Sequence, residues 1–222
     1  MNRQLSKLFV VLILLLLLPT SPTQQAQAVL PDIVISQVYG GGGNSGAPFR
    51  NDFVELFNRG TTTVSLAGWS MQYASATGTG NFGGNPIALL SGSLATGQYY
   101  LIQLESGGTN GIALPAYDAT ASTNMSGTAG KVALVNTTTG LACNGGSTPC
   151  SSAQLAQIVD LVGYGNANFF EGSGAAPTLS NTTAAFRASS GCIDTNNNAA
   201  DFTADVPAPR NTASPLHPCP VD

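Results

Sequence analysis

Short runs rich in Val, Ile, Leu, Tyr and Phe recur between residues 33 and 188, each cut off by Gly, Asn, Ser, Thr or Pro. Branched and aromatic side chains suit a pleated, half-buried surface, and the interrupting residues turn the chain before a helix can propagate. The pattern predicts strands over residues 33–39, 53–58, 69–74, 87–90, 99–104, 131–136, 158–164 and 184–188, the signature of an all-β sandwich or barrel. In Phe53-Val-Glu-Leu-Phe57, Val54 and Leu56 fall on one face and Phe53, Glu55 and Phe57 on the other. Both faces are partly apolar, so this strand is expected at the middle of a sheet covered on both sides. Tyr99-Tyr-Leu-Ile-Gln-Leu104 has the same two-faced character. Only residues 151–157 favour a turn or two of helix.

The N-terminus joins Arg3 and Lys7 to an apolar run at residues 8–18 and a small-x-small site at Ala26-Gln27-Ala28. Those are the three parts of a cleaved secretory signal, and eleven apolar residues are too few to span ~30 Å of hydrocarbon as a helix. Residues 1–28 are therefore read as a signal peptide, and 29–222 as one exported domain without a membrane span. With Arg3 and Lys7 gone, five basic residues face eleven acidic ones, a net charge of −6, and Lys131 is the single remaining lysine. That composition argues against nucleic acid as a partner, which needs clustered Lys and Arg, and against anionic membrane surfaces.

Four cysteines in an exported chain imply two disulfides with three possible connectivities. Asn-Gly-Gly-Ser-Thr-Pro between Cys143 and Cys150 folds back readily, which leaves Cys192 to pair with Cys219 and tie the C-terminal tail to the body. Gly40 to Gly43 lack the Lys-Ser or Lys-Thr of a phosphate loop and are expected to form a flexible connection.

Six segments in order carry a resemblance. They are Ile33-Val-Ile-Ser-Gln-Val-Tyr39, Asp52-Phe-Val-Glu-Leu-Phe-Asn-Arg-Gly60, Val64-Ser-Leu-Ala-Gly-Trp-Ser-Met71, Leu94-Ala-Thr-Gly-Gln-Tyr-Tyr-Leu-Ile102, Gly130-Lys-Val-Ala-Leu-Val-Asn136 and Ile158-Val-Asp-Leu-Val-Gly-Tyr-Gly165. Together they resemble the lamin tail domain family, in its exported bacterial form. The end, Asp194-Thr-Asn-Asn-Asn-Ala-Ala-Asp-Phe202, resembles the lamin-tail regions attached to secreted nucleases. The resemblance implies an immunoglobulin-like β-sandwich. Gln37 departs from it, since many relatives carry an acidic residue there. Trp69, the only tryptophan, is expected to fill the sandwich centre together with Val54 and Leu56.

Catalytic groups are few. A triad needs a nucleophile, a base and an orienting acid, and the one histidine, His217, sits in a Pro-rich tail beside Cys219. Glu55 is read as structural, bonding a neighbouring loop or Arg59. Asp194, Asn196, Asn198 and Asp205 have the spacing of positions 1, 3, 5 and 12 of a calcium loop, but Ala199 replaces its glycine and no helices flank it. An Asx-rich turn is the favoured reading, with no catalytic residue, no metal and no cofactor expected. The expectation is a non-catalytic exported module that binds an extracellular or surface protein, glycan or envelope component. The alternatives are an accessory DNA- or substrate-contacting module akin to those of secreted nucleases, and a small metal-dependent hydrolase.

Overall fold

A computed structural model describes residues 32–220 of the protein; the signal expected at residues 1–28 lies outside them. Twelve strands run in chain order: β1 Ile33–Tyr39, β2 Phe53–Asn58, β3 Val64–Ser65, β4 Ser70–Ser75, β5 Ala88–Leu89, β6 Ser93–Leu94, β7 Tyr99–Gln103, β8 Ala119–Thr120, β9 Gly130–Val135, β10 Ile158–Tyr164, β11 Ala184–Arg187 and β12 Phe202–Asp205. One sheet has the order β12-β11-β1-β2-β7-β8 and the other β10-β9-β4-β5, with β3 and β6 forming a separate two-stranded ribbon. Only β7 and β8 pair in parallel. A one-turn helix, α1 Ser152–Leu155, starts at a capping box between Ser151 and Gln154; a second, α2 Asn198–Asp201, leads into β12.

The two sheets close on one core. Ile35, Val54, Leu56 and Ile102 from the larger sheet meet Met71, Val132, Leu134 and Val162 from the smaller one. Alternation carries the intervening residues to the outer faces, and both outer faces are covered as well. Phe53 and Leu101 pack with Tyr39 and Ala184, Phe57 packs with Tyr99 and Cys192, and on the smaller sheet Ala133 and Val135 pack with Phe82 and Leu141. Double coverage explains why the strands read as nearly continuous apolar runs, and β2 does lie at the middle of its sheet.

Trp69 is not central. It lies at the rim, partly buried against the core from the turn before β4. Gly68 precedes it at φ 84°, a left-handed conformation that aims the chain along the edge of the sandwich. Gly40 to Gly43 form no flexible connection either: all four are buried. A Cβ at Gly42 would stand 2.1 Å from the Asn51 carbonyl carbon, so the run is glycine because backbone passes against backbone.

Residues 206–219 return across the outer face of the larger sheet as an irregular strap. Gln37 donates from Nε2 to the Ala208 carbonyl and accepts from the Ala208 N–H, at 3.0 and 2.9 Å. An acidic residue has no donor for the first of these bonds when ionised, which accounts for the amide at this position. His217 donates its N–H to the Gly97 carbonyl, and Cys192–Cys219 pins the end of the strap. Cys143–Cys150 closes the other bridge.

Candidate functional site

Two features stand out on the C-terminal side of the sandwich: an open groove, and a buried charge cluster beneath one of its walls. Both depend on how β11 meets β1. β11 pairs with β1 only at Gln37 and Val38, so the N–H and C=O of Ile35 lack a strand partner on that side. Two side chains replace it. Ile35 donates to Asp160 Oδ2 at 2.5 Å, and Arg187 Nε donates to the Ile35 carbonyl at 2.9 Å. Asp160 reaches across because a bulge in β10 lies between Ile158 and Asp160.

Arg187 organises the rest. Its Nη2 donates to both Asp160 oxygens at 3.0 and 2.8 Å, and its Nη1 to Asp194 Oδ1 at 2.9 Å and Asp201 Oδ2 at 3.4 Å. Its guanidinium also stacks over Phe202, 4.6 Å from the ring centroid. Burial opposes the Arg187 charge, but Asp160, Asp194, Glu171 and Asp201 outweigh it and raise the Arg187 pKa further. Asp201 is tied down by the Thr195 and Asn197 backbone and by the Thr195 hydroxyl. Glu171, half-buried, accepts from Asn198 Nδ2 at 3.2 Å. Its carboxyl is pushed up to about 9, first by burial and then by the Asp160 charge. Asp194 Oδ2 is buried and has no hydrogen-bond partner.

The calcium loop suggested by residue spacing does not form. Asn198 turns inward, accepting from the Gly163 N–H and donating to the Leu161 carbonyl, while Asp205 lies exposed at the end of β12. Asn196 adopts φ 52°, its N–H on Asp194 Oδ1, an Asx turn. Glu55 is structural, but its partner is not Arg59, which donates to the Cys192 carbonyl. Arg210 of the strap binds Glu55 instead, through its backbone N–H, Nε and Nη2 at 2.7, 3.2 and 2.7 Å. Burial raises the Glu55 pKa, while Arg210 and the Ser36 hydroxyl pull it down. Lys131 is buried on the outer face of β9, its Nζ donating to Asn168 Oδ1 at 2.9 Å, and desolvation lowers its pKa.

The groove, about 600 Å³, lies between β11–β12 and the strap. Phe49 and Phe186 supply flat faces, and Ser190, Thr203, Asp205 and Arg210 supply polar edges. Its shape comes from the bend after β11, where Ser189, Ser190 and Gly191 all have positive φ, at 50°, 60° and 109°. A Cβ at Gly191 would stand 2.6 Å from the Phe57 ring, so the bend is held tight against the sheet.

Arg187, Asp160 and Glu171 did not emerge from spacing arguments. The available signal was a lone charge inside each of two apolar strands, Ala184-Ala-Phe-Arg187 and Ile158-Val-Asp-Leu-Val162. A buried charge needs a partner, and each of these had one to find.

The fold and strap define an all-β sandwich module with an appended C-terminal groove. Residues 26–165 match the Lamin Tail Domain family model, and the chain belongs to the lamin tail domain family. The two outermost strands β11 and β12, the strap and most of the charge cluster lie beyond that match. A crystal structure of a DUF4876 family protein from Bacteroides thetaiotaomicron is similar in fold, with a TM-score of 0.54 and 14% identity. The similarity covers 85% of this chain and 75% of that one. No curated protein matches the chain.

Proposed function

We propose that the chain is an exported, non-catalytic module that binds an extracellular or surface partner (a protein, glycan or envelope component) through the groove beside β12. The observation that carries this reading is the groove's lining. Two phenylalanines flanked by hydroxyls, an aspartate and two arginines suit contact with a partner, and the lining holds no histidine, cysteine or lysine. His217 is exposed in the strap, with its ring 6.5 Å from that of Phe57. Two disulfides suit an oxidising compartment. Among the described basic residues, Lys131 and Arg187 are buried and Arg210 is committed to Glu55, which leaves little to neutralise phosphates.

The test is retention of the protein on an immobilised cell-envelope fraction and on a glycan array, with a Phe186→Ala variant alongside. The reading expects saturable binding that weakens at least tenfold in the variant while its melting midpoint stays within a few degrees. Binding indifferent to Phe186→Ala would rule the groove out. Tight DNA binding that survives about 0.2 M salt would favour an accessory role beside a nuclease, because simple phosphate contacts weaken by orders of magnitude there.

A further inference from the structure

We infer that Glu171 and Asp194, backed by Asp160, hold a calcium ion. The first observation is charge balance. Asp160, Asp194 and Asp201 all bond one guanidinium, that of Arg187, so two negative charges are left over in a buried place, with the half-buried Glu171 carboxyl beside them. A surplus of that size in low dielectric is not sustained without a counter-charge. The second observation is independent of the count. Asp194 Oδ2 has no donor, although the side chain has no exposure to solvent. Buried carboxylate oxygens ordinarily find a partner, and this one belongs to a residue grouped with two further acids.

The spacing has room for calcium. One oxygen each from Asp160, Glu171 and Asp194 lie within 4.8 Å of one another. Calcium bonds oxygen at about 2.3–2.6 Å, so ligands on opposite sides of it stand about 4.6–5.2 Å apart. Magnesium at about 2.0–2.1 Å needs a tighter and more regular shell. The donors are carboxylates without sulfur or imidazole, a set that suits calcium, magnesium or manganese better than zinc or copper. The three residues contribute unequally. Both Asp160 oxygens already accept a backbone N–H, from Ile35 and Leu161, besides the Arg187 contacts, so Asp160 supplies mainly charge. Glu171 and Asp194 retain free lone pairs and supply the bonds. Glu171 stands on the half-exposed side, where water can enter and complete the shell.

These ligands are not the spaced Asn and Asp side chains of an EF-type loop. Only Asp194 belongs to both sets; the others come from β10 and from the segment after it. The ion would join β10, the segment at Glu171 and the loop at Asp194 into one unit behind β11. A proton shared between Glu171 and Asp194 is the competing solution, and it neutralises one charge where calcium neutralises two.

Calorimetric titration of the whole protein with calcium chloride decides between them, with magnesium chloride and chelator controls and the melting midpoint followed in parallel. One calcium per chain is expected, with a dissociation constant on the order of 0.1–1 mM, as in extracellular modules. The midpoint should rise with calcium and fall back on chelation. Affinity should drop at least tenfold in Glu171→Gln and in Asp194→Asn. Should Asp194→Asn fail to fold, Glu171→Gln decides alone, since its side chain is half-exposed and keeps an acceptor for Asn198. No heat and no midpoint shift up to about 10 mM calcium would overturn the site, as would equal affinity in Glu171→Gln or equal binding of magnesium.

Discussion

Glu55 and Asp194 are both buried carboxylates that meet an arginine, yet their surroundings are opposites. Glu55 has one guanidinium to itself, and each oxygen accepts from two groups or more: Ser36 and Arg210 at Oε1, Arg210 and Gln37 at Oε2. Asp194 shares its guanidinium with two other acids and leaves one oxygen without a donor. The first is a closed structural clamp that holds the strap against β2. The second is a staple with spare capacity. Buried charge is tolerated when the count of opposite charges and donors balances, and an imbalance calls for a proton, a water or an ion to restore it.

Removing the arginines separates the two sites most sharply. Arg187→Ala leaves Asp160, Asp194 and Asp201 buried without a cation and frees the Ile35 carbonyl, and should cost about 3–5 kcal/mol in chemical denaturation. Arg210→Ala should cost less, about 2 kcal/mol, because that side chain is 26% exposed and water can replace part of what it provides. Equal losses would mean that the two clamps are not different in kind.

A third buried acid sharpens the comparison, since it has no cation at all. Asp52 accepts the N–H groups of Gly42 and Met125 at 2.8 and 2.9 Å, and burial raises its pKa to about 7 despite those bonds. In the unfolded chain it titrates near 3.9. Between the two values the unfolded state loses its proton while the folded state keeps it. This contribution to stability is full below about pH 4 and is lost as pH rises to about 7, with a slope of up to about 1.4 kcal/mol per pH unit. Asp52→Asn should flatten that part of the stability-versus-pH curve, and an unchanged slope would place the titration elsewhere.

The bridge that secures the strap comes next. Cys192 and Cys219 are 27 residues apart, so replacing both by Ser should cost about 3.5 kcal/mol on the chain-entropy argument. The loss should concentrate in faster amide exchange of the strap, at residues 208–217. Uniform destabilisation with a protected strap would show that Arg210 and Gln37 suffice to hold it.

The strand set was legible because apolar runs bounded by turn formers encode it locally. β1, β2 and β10 occur with the bounds read from the sequence. β12, with two exposed threonine and alanine positions and an exposed Asp205, carries no such run and was missed. The two-residue strands β3, β6 and β8 are too short to leave a pattern. Trp69 is expected at the centre from its size and its place between Gly68 and a strand, and neither distinguishes a centre from a rim. The site was less legible for a physical reason. Arg187 finds Asp160 across 27 residues and Glu55 finds Arg210 across 155, and such pairings follow from sheet topology, which spacing does not contain.

The proposal that this chain binds a partner and carries out no chemistry is open to a turnover assay. The protein is assayed against DNA, RNA, ester and phosphodiester substrates, with and without calcium and magnesium. Rates indistinguishable from the blank are expected under every condition, including at calcium concentrations that would fill the proposed Glu171–Asp194 site. A metal-dependent turnover abolished by Asp194→Ala, with the folded state retained, would contradict it.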